Sequence, residues 1–177
     1  AAAASVLDAA LTNTTTTDIL TLTVNAEAEG AATLAADLVA LNADTNQAIT
    51  MTAVTSISGA YTDLNDIYVT NAAQYTGEGD EVIEITDTQS ATNVNTIANL
   101  TSGAVTATVT ADSGGNLNTA LANTNNNDIL AIEANDTISA TLANTLAGKT
   151  GGSLTATVTA AAASVLDAAL TNTTTTD

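Results

Sequence analysis

The sequence contains no cysteine, histidine, tryptophan, phenylalanine or proline, and its only basic residue is Lys149. Without cysteine there is neither a disulfide framework nor a thiolate metal site. The usual nucleophile and general base pairs are missing with cysteine and histidine. Lys149 lies in AGKTGG, which lacks the glycine that a phosphate-binding loop requires five residues before its Gly-Lys pair. We therefore expect a protein that is not an enzyme.

Positive charge is almost absent, whereas 19 acidic residues give a net charge of −18. Such a chain repels nucleic acids and anionic membrane surfaces and attracts cations. No stretch approaches the roughly 18 consecutive apolar residues of a membrane-spanning helix. Residues 1–10 lack the basic region that opens a secretory signal peptide. We expect no nucleic-acid partner and no membrane insertion.

An exact duplication joins the two ends of the sequence. AAAASVLDAALTNTTTTD occurs at residues 1–18 and again at residues 160–177. We interpret the chain as a single solenoid segment, 1–177, made of one long repeat (1–159) and the start of the next (160–177). The expected partners are further copies of the chain along the axis, either in the same polypeptide or as abutting subunits. The two duplicated segments should then share one conformation.

A shorter repeat lies inside the long one. Short alternating runs, typical of β-strands with one buried face, recur at similar spacings along the chain. They are LTLTV (20–24), ITMTA (49–53), IEITD (83–87), VTATV (105–109), LAIEA (130–134) and LTATV (154–158). We call each strand with its following segment a rung, and the long repeat contains six of them.

Between the strands, apolar residues recur three or four apart, which predicts short helices. These stretches are 5–11, 33–41, 62–68, 92–98, 116–122 and 140–147. Ser5 with Asp8, and Ser164 with Asp167, have the pattern of a helix start. Strands separated by helices are parallel by default, so we expect an α/β solenoid with one parallel sheet faced by short helices. An all-β solenoid is the alternative.

Two strings, IEITDTQSATNVNTIANLTSGAVTATVTA and LANTLAGKTGGSLTATVTA, resemble tandem repeats of giant secreted bacterial surface proteins of the marine cyanobacterial type. The resemblance covers nearly the whole chain. It implies an extracellular or cell-surface location and a structural or adhesive role, and it supplies no catalytic residues.

The densest acidic stretch is GEGDEVIE, which contains Glu78, Asp80, Glu81 and Glu84. Carboxylates in a glycine-containing loop suit Ca²⁺, so this patch is a candidate calcium site, with a solvated loop as the alternative. Asp18 and Asp128 precede strands in the same context, DIL. They are candidates for capping turns or, if they stack, for binding cations.

Two further sets of side chains are candidate interfaces. Tyr61, Tyr68 and Tyr75 are the only aromatic residues and lie seven apart, so on one helix they would form a stripe. They either pack on the sheet or contact another copy, because their rung has the longest spacing. Outward threonines, which suit strands in any case, predict sheet association or an ice-binding face. They are Thr21, Thr23, Thr50, Thr52, Thr106, Thr108, Thr155 and Thr157.

These patterns predict a non-enzymatic structural repeat of an extracellular filament, surface layer or giant adhesin. The alternative is a solenoid module that binds cations such as Ca²⁺, or ice. No other cofactor is expected.

Overall fold

In a computed structural model of the chain, residues 1–28 and 30–177 are described. The described chain is α/β, with a six-stranded parallel sheet, a separate two-stranded parallel ladder and seven α-helices. It divides into two compact units. Unit 1 is Ala1–Asp87 with Leu100–Gly103, and unit 2 is Thr88–Asn99 with Ala104–Asp177.

Unit 1 has short helices and very short strands. In chain order they are α1 (Ala4–Ala10), β1 (Thr33–Leu34), α2 (Ala35–Ala43), β2 (Ile49–Thr50), β3 (Ser56–Gly59), α3 (Tyr61–Asn65), a π-helical turn (Asp66–Thr70), a 3-10 turn (Ala72–Gln74), β4 (Tyr75–Thr76) and β5 (Val82–Ile85). β3 pairs in parallel with β1 and β5, whereas β2 pairs in parallel with β4. The rungs of this unit therefore have two extended pieces, one in the six-stranded sheet and one in the two-stranded ladder.

Unit 2 has longer strands. In chain order its elements are α4 (Ala91–Ala98), β6 (Val105–Thr108), α5 (Gly114–Ala120), β7 (Ile129–Ile138), α6 (Ala140–Ala147), β8 (Ser153–Val158) and α7 (Ala163–Ala169). β7 pairs in parallel with β6 and β8. Successive side chains of β7 point to opposite faces of the sheet, so buried and exposed residues alternate. Leu130 and Ile132 are buried, whereas Ala131 and Glu133 are exposed.

The six predicted helical stretches are confirmed, because each overlaps one of α1 to α6. The helix start predicted at Ser5 and Ser164 is wrong. α1 begins at Ala4 after the N-cap Ala3, so Ser5 lies inside the first turn and its hydroxyl donates to Glu27. Serine caps occur instead at α4, α5 and α6, where the side chain accepts the backbone N–H three residues on. These caps are Ser90, Ser113 and Ser139.

Four of the six predicted strands are confirmed as β5, β6, β7 and β8, the strand predicted at 49–53 is confirmed in part, and the strand predicted at 20–24 is wrong. Residues 20–24 form only isolated parallel bridges, Thr23 with Thr50 and Val24 with Ala2. The run 49–53 contributes only Ile49–Thr50, which belongs to the two-stranded ladder. β1 has only two residues, and β3 contains a single large apolar residue, Ile57, so neither has a recognisable alternating apolar run.

The two ladders also explain the long interval between the alternating runs at 49–53 and 83–87. That interval connects a strand of one ladder with a strand of the other. Within each ladder the pairing is Ile49 with Tyr75 and Ile57 with Ile83, so the offset in sequence is the same in both. This rung is therefore shorter than the interval between the two alternating runs suggests.

Candidate functional site

A hydrogen-bonded turn connects neighbouring rungs in unit 2. We call LANTNNNDIL, residues 121–130, the aspartate turn. Asp128 is 3 % exposed. Its Oδ2 accepts the N–H of Asn125 within the turn (2.9 Å), and its Oδ1 accepts the N–H of Val105 in β6 (2.8 Å). One carboxylate therefore closes its own turn and binds the preceding rung, which confirms the turn-capping prediction for Asp128.

The following rung attaches to the same turn through Thr150, which is also buried. Thr150 Oγ1 accepts the N–H of Leu130 (2.8 Å) and donates towards the carbonyls of Leu130 (2.9 Å) and Asp128 (3.2 Å). The N–H of Gly151 also donates to the Asp128 carbonyl (2.7 Å). Asp128 is thus bound from the rung before it and the rung after it.

The first duplicated segment has the downstream half of this arrangement. Asp18 Oδ2 accepts the N–H of Thr15 (2.8 Å), as in the interior turn. Thr45 Oγ1 accepts the N–H of Leu20 (3.2 Å) and donates towards the carbonyls of Leu20 (2.8 Å) and Asp18 (3.4 Å). Within residues 1–28 and 30–177, Asp18 Oδ1 has no donor that corresponds to Val105 N.

The second duplicated segment has the upstream half. Asp177 Oδ2 accepts the N–H of Thr174 (2.6 Å), and its Oδ1 accepts the N–H of Leu154 in β8 (2.9 Å). The bonds to Val105 and Leu154 both span 23 residues. The two copies of one sequence therefore hold complementary halves of the contacts that Asp128 has complete.

The helices before these turns show the same division. In α5, which precedes the interior turn, Leu117 and the following Leu121 are fully buried. Their counterparts in the duplicated segments, Leu7 and Leu11 and also Leu166 and Leu170, are only half-buried. Ala4 of α1 is fully buried, whereas Ala163 of α7 is exposed. Each duplicated segment is therefore packed on one side only.

The four carboxylates of the predicted calcium patch lie in different environments. Glu81 is fully buried, and its Oε2 accepts the hydroxyl of Tyr68 (2.9 Å) and the N–H of Gly79 (2.8 Å). Glu81 Oε1 and Glu78 Oε2 are buried without a hydrogen-bond partner. Asp80 and Glu84 are exposed, and Glu84 accepts the hydroxyl of Ser58. In the described part of the chain, no group of three or more acidic residues is arranged to hold a metal ion.

The three tyrosines do not form one helical stripe, because Tyr75 lies in β4 while Tyr61 begins α3. Tyr68 and Tyr75 are buried, and the Tyr75 hydroxyl donates to the carbonyl of Leu38 (3.2 Å). Burial raises the pKa of both phenols, and the charges of Glu81 and Asp66 add to this for Tyr68 and Tyr75 respectively. These two side chains therefore pack within unit 1, and contact with another copy stays a prediction for Tyr61.

The predicted threonine face is exposed or half-buried at all eight positions. The threonines are not aligned across neighbouring strands at these positions, however. Thr106 is opposite Ile129, Thr108 is opposite Ala131 and Thr155 is opposite Glu133. In unit 1, Thr23, Thr50 and Thr76 do pair in sequence, and Thr21 and Thr52 are exposed. In unit 2, Thr157 is opposite Thr137. The regular array that sheet association or ice binding would use is present only in short pieces.

Sequence reasoning missed the buried threonines that follow the helices, Thr45 and Thr150. Thr101 is half-buried and makes a similar contact, with its hydroxyl donating to the carbonyl of Glu81 (2.7 Å). A signal was present, since Thr101 and Thr150 both stand shortly before a glycine just after a helical stretch. Threonine is so common in this chain that the pattern did not stand out.

No protein-family model, curated protein or solved structure matches this chain. Among the described residues, none of the helices has the length and apolar character needed to cross a bilayer. The resemblance to bacterial surface-protein repeats therefore stays a prediction.

Proposed function

We propose that the chain is a non-enzymatic structural repeat of an extracellular filament, surface layer or giant adhesin. In this proposal the rungs stack as an α/β solenoid, and each long repeat is followed by another. The function is mechanical: the repeat spans distance and presents a surface at the cell exterior. The partners are further copies of the same sequence.

One observation carries this proposal. The two copies of AAAASVLDAALTNTTTTD have the same helix bounds, Ala4–Ala10 and Ala163–Ala169, and the same turn bonds. Asp18 is bound to the rung after it and Asp177 to the rung before it. The contacts of Asp18 and the contacts of Asp177 together correspond to the contacts that Asp128 makes. This complementarity is what a continuous stack of repeats requires.

The test is a longer polypeptide in which residues 1–159 are followed by residues 1–177. Small-angle X-ray scattering should show the longest dimension increase by roughly 29 Å, since six strands lie about 4.8 Å apart. The two-repeat chain should also melt at a higher temperature, because a smaller share of its rungs lies at an end. A second repeat that moves as a separate body would contradict solenoid stacking.

The location is tested separately. An antibody raised against residues 1–177 should label intact cells of the source organism without permeabilisation, and external protease should remove the label. Labelling that requires permeabilised cells would contradict the extracellular assignment while leaving the stacking test unaffected.

Cation binding is the second candidate function, and the unpartnered oxygens of Glu78 and Glu81 favour it. A buried carboxylate oxygen without a partner is costly, and the chain has no basic residue other than Lys149, whose ammonium donates to the Leu121 carbonyl (2.8 Å). An external cation such as Ca²⁺ would compensate these charges.

Isothermal titration calorimetry with CaCl₂ in about 0.15 M NaCl tests this candidate, since that salt screens surface charges. Saturable binding to residues 1–177 should be lost in Glu81→Gln and Glu78→Gln and retained in Glu84→Gln, whose carboxylate is exposed. Absence of saturable heat from the unsubstituted chain would remove Ca²⁺ from consideration.

A further inference from the structure

The sequence contains four Asn-x-Thr stretches, the pattern at which transferases attach N-linked glycans. We call them acceptor motifs, and they begin at Asn13, Asn99, Asn135 and Asn172. All four asparagines are exposed, so exposure of the acceptor amide does not distinguish them. The motif also requires a threonine hydroxyl, however, and the four threonines differ in the hydrogen bonds that they make.

In three acceptor motifs the threonine hydroxyl is bonded within the protein. Thr101 Oγ1 donates to the carbonyl of Glu81 (2.7 Å) and accepts the N–H of Gly103 (3.0 Å). The hydroxyls of Thr15 and Thr174 each donate towards the carboxylate of the aspartate three residues further on (3.3 Å). A transferase can bind these hydroxyls only after an existing hydrogen bond has opened.

The acceptor motif at Asn135 differs from the other three. Thr137 is exposed, and in the described part of the chain neither its hydroxyl nor the side chain of Asn135 has a hydrogen-bond partner. The N–H of Asn135 donates to the carbonyl of Asp112 (3.0 Å), and Asp136 Oδ1 accepts the N–H of Gly114 (2.8 Å). The motif is therefore held by its backbone and its middle residue, while both groups that glycosylation requires are free.

An irregularity between β7 and β8 explains this arrangement. Glu133 is opposite Thr155, and Thr137 is opposite Thr157, so β7 advances four residues while β8 advances two. Such a bulge interrupts the ladder and leaves the extra residues without a partner across the strands. An open cavity of about 380 Å³ lies at this point and provides space for a sugar beside Asn135. Its lining consists of residues 133–137 and 155–157.

We propose that Asn135 is a modification site at which a transferase attaches an N-linked glycan to the folded chain. In the transfer, Asn135 Nδ2 forms a bond to the anomeric carbon of an oligosaccharide carried on a lipid diphosphate. The bond between that carbon and the diphosphate oxygen breaks, the lipid diphosphate leaves with the electron pair, and a base of the transferase takes the amide proton. The inference rests on the proposed extracellular location, because the motif is an acceptor in secreted chains.

The test measures glycan occupancy in the chain isolated from cells of the source organism. Cleavage after glutamate and after Lys149 releases Asn99 in peptide 85–133 and Asn135 in peptide 134–149. Mass spectrometry with electron-transfer fragmentation locates the added sugar mass on one residue. Occupancy at Asn135 should exceed that at Asn99 by roughly tenfold, the factor that corresponds to opening one hydrogen bond.

Four variants separate the roles of the side chains. Asn135→Gln and Thr137→Ala should each remove the glycan from peptide 134–149, whereas Thr137→Ser keeps a hydroxyl and should retain it. Asn99→Gln is the matched control at an exposed asparagine and should leave the glycan on Asn135 unchanged. Circular dichroism verifies the fold of each variant, and the comparison of serine with alanine at position 137 does not depend on Asn135→Gln.

Synthetic peptides separate the effect of the fold from that of the local sequence. Peptides of residues 93–105 and 129–141 lack the tertiary hydrogen bonds, so membranes of the source organism that hold transferase and donor should glycosylate both. The folded chain, produced without glycan and incubated with the same membranes, should be glycosylated mainly at Asn135.

An unmodified Asn135 in chains recovered from the cell surface would overturn the proposal, and so would equal occupancy of Asn135 and Asn99 in the folded chain. If the antibody still labels intact cells, the extracellular assignment is retained and only the glycosylation fails. If the antibody does not label intact cells and Asn135 is unmodified, both fail.

Discussion

At the scale of single residues, one aspartate and one threonine connect successive rungs. Asp128 can bind two backbone N–H groups because an ionised carboxylate has two acceptor oxygens, and it directs one of them to its own turn and the other to β6. Thr150 can bind both neighbours of the turn because a hydroxyl donates and accepts. These bonds satisfy backbone groups in the turn and at the start of β6 and β7.

Replacement of Asp128 by alanine should lower the free energy of unfolding by roughly 2–3 kcal/mol, because the buried N–H of Val105 and the N–H of Asn125 lose a charged acceptor. Urea unfolding followed by circular dichroism measures the change. Asp80→Ala, at an exposed carboxylate, is the matched control and should change stability by less than about 0.5 kcal/mol. Equal effects at the two positions would show that the cross-rung bonds contribute little.

Tyr75 should make the protein sensitive to alkaline pH. Its folded-state pKa is raised above the ordinary value of 10.0, so the neutral phenol stabilises the fold below pH 10 and this contribution is lost as the pH rises further. Tyr75→Phe should make the fall in unfolding free energy above pH 10 shallower by up to about 1.4 kcal/mol per pH unit. Urea unfolding between pH 8 and 11.5 tests this, and a slope as steep in Tyr75→Phe as in the unsubstituted chain would contradict it.

At the scale of the elements, short helices are made stable by their packing and caps and not by their length, since helices of seven to nine residues are marginal in isolation. The helices of unit 2 that begin after a serine gain one hydrogen bond at the cap. α1 and α7 begin after alanine and have no side-chain cap bond. The duplicated helices therefore depend more on the rungs that they contact.

Two adjacent glycines in α5 give a matched test of this packing. A methyl group at Gly114 would press against Ile138 and Leu142, whereas one at Gly115 would meet nothing within 4 Å. Gly115→Ala should raise the free energy of unfolding by about 0.4–1 kcal/mol. Gly114→Ala should lower it by about 1–3 kcal/mol through overpacking. Urea unfolding distinguishes the signs, and two substitutions of the same sign would contradict close packing of α5 on the next rung.

At the scale of the whole molecule, a net charge of −18 on 177 residues opposes folding through self-repulsion. The carboxyl group of Asp37 shows this repulsion. Its pKa is raised mainly by burial and further by the charges of Asp8 and Glu27. A carboxylate with a raised folded-state pKa destabilises the fold at neutral pH and ceases to do so when it is protonated.

Salt should therefore stabilise the protein. The melting temperature should rise between about 0.01 and 0.5 M NaCl as the screening length falls from about 30 Å to a few ångströms. Asp37→Asn should reduce this salt dependence, while Asp80→Asn, with an exposed carboxylate, should reduce it less. Differential scanning calorimetry measures both, and a melting temperature that is indifferent to salt would show that repulsion is not limiting.

The sequence by itself determined the helices, most of the buried strand faces in unit 2 and the duplication, because period, alternation and identity are local properties of a chain. Apolar spacing placed all six helical stretches, and the DIL context marked Asp128 as a turn residue. The short strands β1 and β3 carry no local signal of comparable strength.

Only the tertiary structure decided how the extended pieces pair, which side chains are buried and what completes the duplicated turns. A two-residue strand such as Thr33–Leu34 is defined by the backbone it pairs with and not by its own side chains. The same reason applies to Glu81, Thr45 and Thr150, which bond to Tyr68, Asp18 and Asp128 from other parts of the chain. Identical sequences at residues 1–18 and 160–177 therefore acquire different neighbours, since contacts with the rung before and the rung after depend on position in the fold.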